Sequence, residues 1–353
     1  MSKRGTEPSL LLLVGRAMFM SAAALIGMSS AAAWYSITFD DQTFGSQCVV
    51  TDCVVTGDLQ RAVVCYRVAN VHNTAGFRRE IGLASFEPHS SDLERFPAIQ
   101  AIQVALHPGS QEIIAFDGDR NVYRSEPSAD AAWEKLEYRI AMAPDVLGWS
   151  ADGQLLLGLT RHDLQAWRLT ETALEPAWTR AGISAYAVHP RVGMICGQHD
   201  GRVIACHAET GEPQQLLYRA ASSIRQLAIA PGGLRFACYD SEGNVGCHRL
   251  ATGAKVWNRL RRKGNGTNQS STVLSFSPDA RLLMTAGGEN DSHLEIWDAA
   301  QGDRLETLPG HQGGTIGAVF LNNREVLSWG SDGTLRLWDT SNAKLLRVIR
   351  CPT

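Results

Sequence analysis

Three residue types that together can cleave an acyl bond stand near the end of this 353-residue chain: His311, Ser328 and Asp332. A serine nucleophile needs a histidine to take its proton, an acid to orient that histidine, and backbone donors for the oxyanion. No G-x-S-x-G elbow and no glycine-rich anion loop accompanies them, so the residue types are present without the cleft that would make them react. His107-Pro108 and His189-Pro190 recur in register, and a histidine that titrates near neutrality can act as a general base. Ser277-Pro278 and Ala230-Pro231 fill the same slot. The slot therefore reads as a strand-end turn in which proline presets the backbone and the residue before it is incidental.

Eight cysteines, at 48, 53, 65, 196, 206, 238, 247 and 351, show no C-x-x-C spacing, which removes the usual zinc-knuckle, redox and haem motifs. Cys206-His207 and Cys247-His248 occupy matching places in successive units, each with a cysteine on the strand before, Cys196 and Cys238. A metal would need ligands converging to about 2 to 2.3 Å from one ion, whereas neighbouring units splay these positions apart and strand side chains alternate faces. No catalytic residue, no cofactor and no metal site is expected. Cys238 and Cys247 flank the turn at 241–244 symmetrically. The expectation is that they face each other across a hairpin, bridged if the domain meets an oxidising compartment.

The elements that carry these residues repeat. The unit at the C-terminus runs Thr315 to Leu321, an Asn322-Asn323 turn, Glu325 to Trp329, a Ser331-Asp332-Gly333 turn, Thr334 to Asp339, and an alternating stretch from Lys344 to Ile349. Links this short return the chain to its neighbour, giving a four-stranded antiparallel meander. The first turn of the unit recurs at Pro278-Asp279, Pro231-Gly232-Gly233, Pro190-Arg191, Ala151-Asp152-Gly153 and Pro108-Gly109, and in degenerate form at Gly57-Asp58. Seven turns spaced by roughly 40 to 50 residues carry the pattern from about residue 45 to the end.

At this point a resemblance becomes specific. Leu335-Arg336-Leu337-Trp338-Asp339 and Leu294-Glu295-Ile296-Trp297-Asp298 look like the strand ending of WD repeats, and Gly310-His311 sits upstream of the first as that family's glycine-histidine pair does. The resemblance implies an all-β, seven-bladed β-propeller of four-stranded blades, with six or eight blades as the alternatives. It also implies a hydrogen-bonded tetrad in the best blade, whose roles fall on His311, Ser328, Asp332 and Trp338. The penultimate unit matches in part, with Thr285, Asp291 and Trp297. At the tryptophan position the others read Trp167, Cys206, Cys247, Tyr123 and Phe86. Lys344 to Ile349 is expected as the outer strand of the last blade, with Trp34 to Phe39 the competitor for that place.

Composition fits a folded body: 44% apolar, 20% charged and a net charge of −3 give no global reason to bind nucleic acid or an anionic surface. The first segment differs in kind. Lys3 and Arg4 precede an apolar stretch from Leu10 to Ala33, broken by Arg16 and ending in three alanines. A basic start, an apolar middle and a small-residue end are the parts of a secretory signal, cleaved or retained as an anchor; a docked helix is the alternative. The expected organisation is thus a signal or membrane anchor over 1–33, a linker over 34–44 and the propeller over 45–353. The protein is expected to be membrane-associated or exported, with a cytoplasmic location as the alternative.

The function that follows is a non-catalytic interaction scaffold or assembly subunit with one or more protein partners. The alternatives are a small-ligand or glycan sensor, and a hydrolase or lyase using the central channel. Catalysis at the channel needs converging carboxylates or histidines, and inner strands such as Gln226 to Ala230 are mostly apolar. Candidate contacts are the basic run Arg259, Arg261, Arg262 and Lys263, leading into a long link, and Phe77, Arg78 and Arg79 at the end of a loop beginning at Val68. Long loops on rigid scaffolds and aromatic or arginine anchors are where binding concentrates.

Overall fold

Runs of Val, Ile, Leu, Trp and Tyr five or six residues long, separated by Gly, Asn and Asp turns, are too short for buried helices and suit pleated strands packed on both faces. In the computed structural model the described residues are 47–351, apart from 56–60, 70–76, 86–92, 96–98, 127–131, 140–141, 162, 262–272 and 287–291. Residues 1–33, with the expected apolar helix or signal, and 34–44, with the competing strand, lie outside the described residues. Those described form strands and turns only.

The strands assemble into seven four-stranded antiparallel sheets, each from four consecutive strands. They are called blades I to VII here and span 47–95, 101–139, 146–181, 183–219, 224–260, 273–308 and 315–350. Lys344–Arg350 pairs with Thr334–Asp339 and completes blade VII from its own stretch of chain.

Between successive blades lies a separate apolar cluster, so seven junctions hold seven clusters. Val63 and Val104 meet between I and II, Phe116 and Trp167 between II and III, and Leu157 and Met194 between III and IV. Val203 and Phe236 meet between IV and V, Trp257 and Leu283 between V and VI, and Ile296 and Trp338 between VI and VII. The last cluster joins Cys48, Val50 and Tyr66 of blade I to Leu327 and Leu335 of blade VII and to Cys351, and this closes the ring. Each buried side chain of this size contributes about 1.5 to 3 kcal/mol. Among the described residues closure therefore rests on packing, because no described strand is exchanged between the first and last blades. Gly333, at φ +67°, is required there: a Cβ would stand 2.6 Å from the Cys48 carbonyl oxygen.

First strands pack against first strands round the inner side of the ring, except between blades III and IV, where the strongest contacts step outward to the second and third strands of blade III. A second regularity marks each blade from III to VII. The pairing of third and fourth strands carries a bulge at Ala166/Trp167, Ala205/Cys206, Cys247/His248, Ile296/Trp297 and Leu337/Trp338. The residue after the bulge fixes the tryptophan position structurally. In blade V that residue is His248, which corrects the assignment of Cys247 from sequence alone.

Candidate functional site

In blade VII the turn at 331–333 and the second and third strands bring His311, Ser328, Asp332 and Trp338 into one chain. The His311 Nδ1–H donates to Asp332 Oδ1 over 2.9 Å, the Ser328 hydroxyl donates to His311 Nε2 over 2.7 Å, and Trp338 Nε1–H donates to Ser328 Oγ over 2.9 Å. The tautomer follows from these partners. Asp332 also accepts from Thr334, from Arg336 and from the Gln312 backbone N–H. Burial pushes its carboxyl up, but the hydrogen bonds from His311 and Thr334, with the charge of Arg336, outweigh it and hold the group down at about 2.

These distances are those of a serine nucleophile with its base and acid, yet the setting forbids the reaction. Ser328 is fully buried and His311 is 1% exposed. The Ser328 oxygen already holds the indole N–H, so an acyl carbon has no approach. Blade VI keeps one link of the chain, Trp297 Nε1–H to Thr285 Oγ1 at 3.0 Å; Asp291 lies outside the described residues.

The histidines before the turns have a use the sequence did not show. His107 Nδ1 accepts from the Gly109 and Ser110 N–H groups while its Nε2–H donates to the Gly153 carbonyl of blade III. His189 accepts from Arg191 N–H and donates to the Pro231 carbonyl of blade V. Each stitches its own turn to the next blade, so these residues are not incidental to the slot.

The expected contact residues are dispersed. Arg259 is exposed on Lys255–Leu260 and donates to the Gln301 carbonyl. Arg261 is buried, 5% exposed, and pairs with Glu295 at 3.0 Å while donating to the His293 carbonyl. Arg304 reaches the other oxygen of Glu295 at 3.0 Å. Arg261 therefore ties blade V to blade VI and is not a docking residue; Arg262 and Lys263 lie outside the described residues. Phe77, Arg78 and Arg79 belong to the strand Phe77–Ser85, paired with Ala69, Val68 and Arg67, and not to a loop.

The cysteine hairpin is also corrected. Cys247 stands opposite Ala237 and Cys238 opposite Gly246, so the two thiols point to opposite faces, Cys238 towards blade IV and Cys247 towards blade VI. All eight cysteines are free and buried, and among the described residues no cluster of histidine, cysteine or carboxylate groups could hold a metal.

What the sequence reading missed is a cavity of about 640 Å³ on the inner side of the ring. It is walled by the first strands of blades IV and V, with Val146 from blade III, and Arg161, His199 and Arg225 are exposed at its edge. His199 Nε2–H donates to the Arg161 carbonyl at 3.3 Å, and Asp145 is the acidic residue of the lining. Its wall contains Tyr186, whose hydroxyl donates to the Leu157 carbonyl. The signal was faint: these arginines sit singly in turns and strand ends, and only the ring brings them together.

Four-stranded antiparallel blades in a closed ring define a β-propeller. Residues 302–339 match the family described as WD domain, G-beta repeat, and the described residues form a β-propeller. Protein tipD of Dictyostelium discoideum is 32% identical over 122 residues, 32% of this chain and 19% of that protein. Telomerase protein component 1 of Rattus norvegicus is 24% identical over 271 residues, 70% of this chain and 10% of that protein. Eukaryotic translation initiation factor 3 subunit I of Pyricularia oryzae is 30% identical over 90 residues, 25% of this chain and 26% of that protein. The matched stretch is thus about a quarter or less of each of these relatives.

Proposed function

We propose that the protein is a non-catalytic scaffold that docks a partner protein at the inner cavity, where Arg161 and Arg225 receive an acidic segment. The observation that carries this reading is the division of labour among polar groups. Several of those between blades hold the ring, as His107, His189 and Arg261 do, whereas Arg161 and Arg225 are exposed beside a cavity of about 640 Å³, within the usual ligand-site range of about 300 to 1,000 Å³. A relative whose name describes a subunit of an assembly supports a role in a complex. Residues 1–33 are proposed to direct export or membrane association, with 34–44 as the link to the propeller, and fractionation of native cells with and without 1–33 tests that part.

Affinity purification of the tagged full-length chain from its native cells, quantified by mass spectrometry, tests the docking reading. Arg161→Glu with Arg225→Glu should lose specific partners, because reversed charge opposes an acidic segment at the moment of encounter. Arg259→Glu, on the outer strand of blade V, should keep them. Equal retention by both would refute the reading.

A further inference from the structure

Blade IV departs from its neighbours at three linked positions. Where blades III, VI and VII place Trp167, Trp297 and Trp338 after the bulge, blade IV places Cys206. The strand residue that accepts the indole N–H, Thr285 or Ser328, lies two positions beyond the one paired with the tryptophan. In blade IV this is Cys196, because Met194 pairs with Cys206. Two positions further, Gly330 of blade VII lies under the His311 ring, and blade IV has Gln198. An indole and an imidazole are thus replaced by two thiols and one amide.

The volume these rings would fill is not closed by collapse. A cavity of about 340 Å³ lies between blades III and IV, lined by Trp178, Met194, Cys196, Gln198, Ile204 and Cys206 among others. For scale, a cavity of about 150 Å³ takes benzene. Two polar atoms of its lining, Trp178 Nε1 and Gln198 Oε1, are buried without a hydrogen-bond partner. A buried donor and a buried acceptor left unmade cost more than they would in water. Blade V shows the contrast. Trp257 lies beneath Gly302 as Trp178 lies beneath Gly211, yet its indole N–H donates to the Ala299 carbonyl at 3.0 Å.

We infer that the cavity between blades III and IV is a binding site for a small, neutral, flat heterocycle carrying a hydrogen-bond acceptor for Trp178 and a donor for Gln198. The apolar walls from Met194, Ile204 and Leu164 take the ring body. A charged ligand is disfavoured because the lining holds no carboxylate, and its cation, Arg180, is engaged by the Gly211 carbonyl at 3.1 Å and faces Glu212 at 3.8 Å. The site lies between blades, away from the inner cavity proposed for the partner, and stands or falls independently of it.

The test uses the full chain with ¹⁵N-labelled tryptophan, the Trp178 indole resonance being assigned by its loss in Trp178→Phe. Benzimidazole supplies an acceptor and a donor on a two-ring body, and indane supplies the same outline without either. Benzimidazole should move the Trp178 indole resonance downfield and saturate it at about millimolar concentration, as expected for a fragment of this size. Indane should bind at least about fivefold more weakly, and so should benzimidazole to Gln198→Leu, each lacking one hydrogen bond. Cys206→Trp, which introduces the residue of blades III, VI and VII, should abolish the shift while the remaining indole resonances report an intact fold. The inference is overturned if benzimidazole leaves Trp178 unmoved up to about 10 mM, if indane does as well, or if Gln198→Leu binds as tightly as the parent chain.

Discussion

Asp52 and Asp332 show how the same side chain is driven in opposite directions by its surroundings. Asp52 accepts from the N–H groups of Cys53 and of Val104 across the I–II junction, each at 2.9 Å. Desolvation outweighs those bonds and pushes its carboxyl up to about 6. The folded state therefore holds this proton more firmly than the unfolded chain does. Stability contributed here is greatest below about pH 4, falls as pH rises to about 6, and is flat above that. Asp52→Asn should remove that slope and raise stability near neutrality by about 1 kcal/mol, the full shift being discounted because the residue keeps some contact with solvent. Denaturant melts between pH 4 and 8 check this. Asp332 has the opposite sign: held at about 2, it contributes stability above about pH 4 that is lost as pH falls towards 2. Asp332→Ala should cost about 1 to 3 kcal/mol by leaving buried donors unmade. Asp152, which serves only the Ser150 hydroxyl and the Gln154 N–H of an exposed turn, should cost under about 1 kcal/mol when changed to Ala. Equal losses would contradict the tetrad's role.

At the scale of the strand, what could be read in the sequence depended on whether period and turn chemistry were enough. The four strands of blade VII were legible because its turns are short and its apolar alternation unbroken. The register around Cys247 was not: a bulge adds one residue to one strand and so reverses which of Cys247 and His248 occupies the tryptophan position. The same bookkeeping separates Cys238 from Cys247, since partners one residue apart in register face opposite sides. Arg261 was misread because a basic run looks solvated until a buried carboxylate from another blade, Glu295, is seen to meet it. Arg261→Ala should accordingly cost about 2 to 4 kcal/mol by uncovering that carboxylate, whereas Arg259→Ala, on an exposed strand, should change stability by under about 0.5 kcal/mol. Paired urea titrations separate the two.

For the whole molecule, spacing made the propeller legible and left the working surfaces obscure. A repeat of turns announces blades, but a cavity belongs to no repeat: the inner site draws on three blades, and the one between blades III and IV exists through what blade IV lacks. Ring closure by packing of Cys48, Val50 and Tyr66 against blade VII makes every junction contribute to one cooperative unit, so a weakened tetrad should lower the melting temperature of the whole ring. In the proposed function, polar groups such as the His311, Ser328, Asp332 and Trp338 chain hold the ring together, while the arginines at its inner cavity recruit the partner. The most direct measurement is the yield of co-purified partner from two variants of the tagged full-length chain, each with its melting temperature. Asp332→Ala should melt earlier and, below its transition, retain the partner; Arg161→Glu with Arg225→Glu should melt with the parent chain and lose it. Partner retained by the arginine variant, or lost by a still-folded Asp332→Ala protein, would contradict the account.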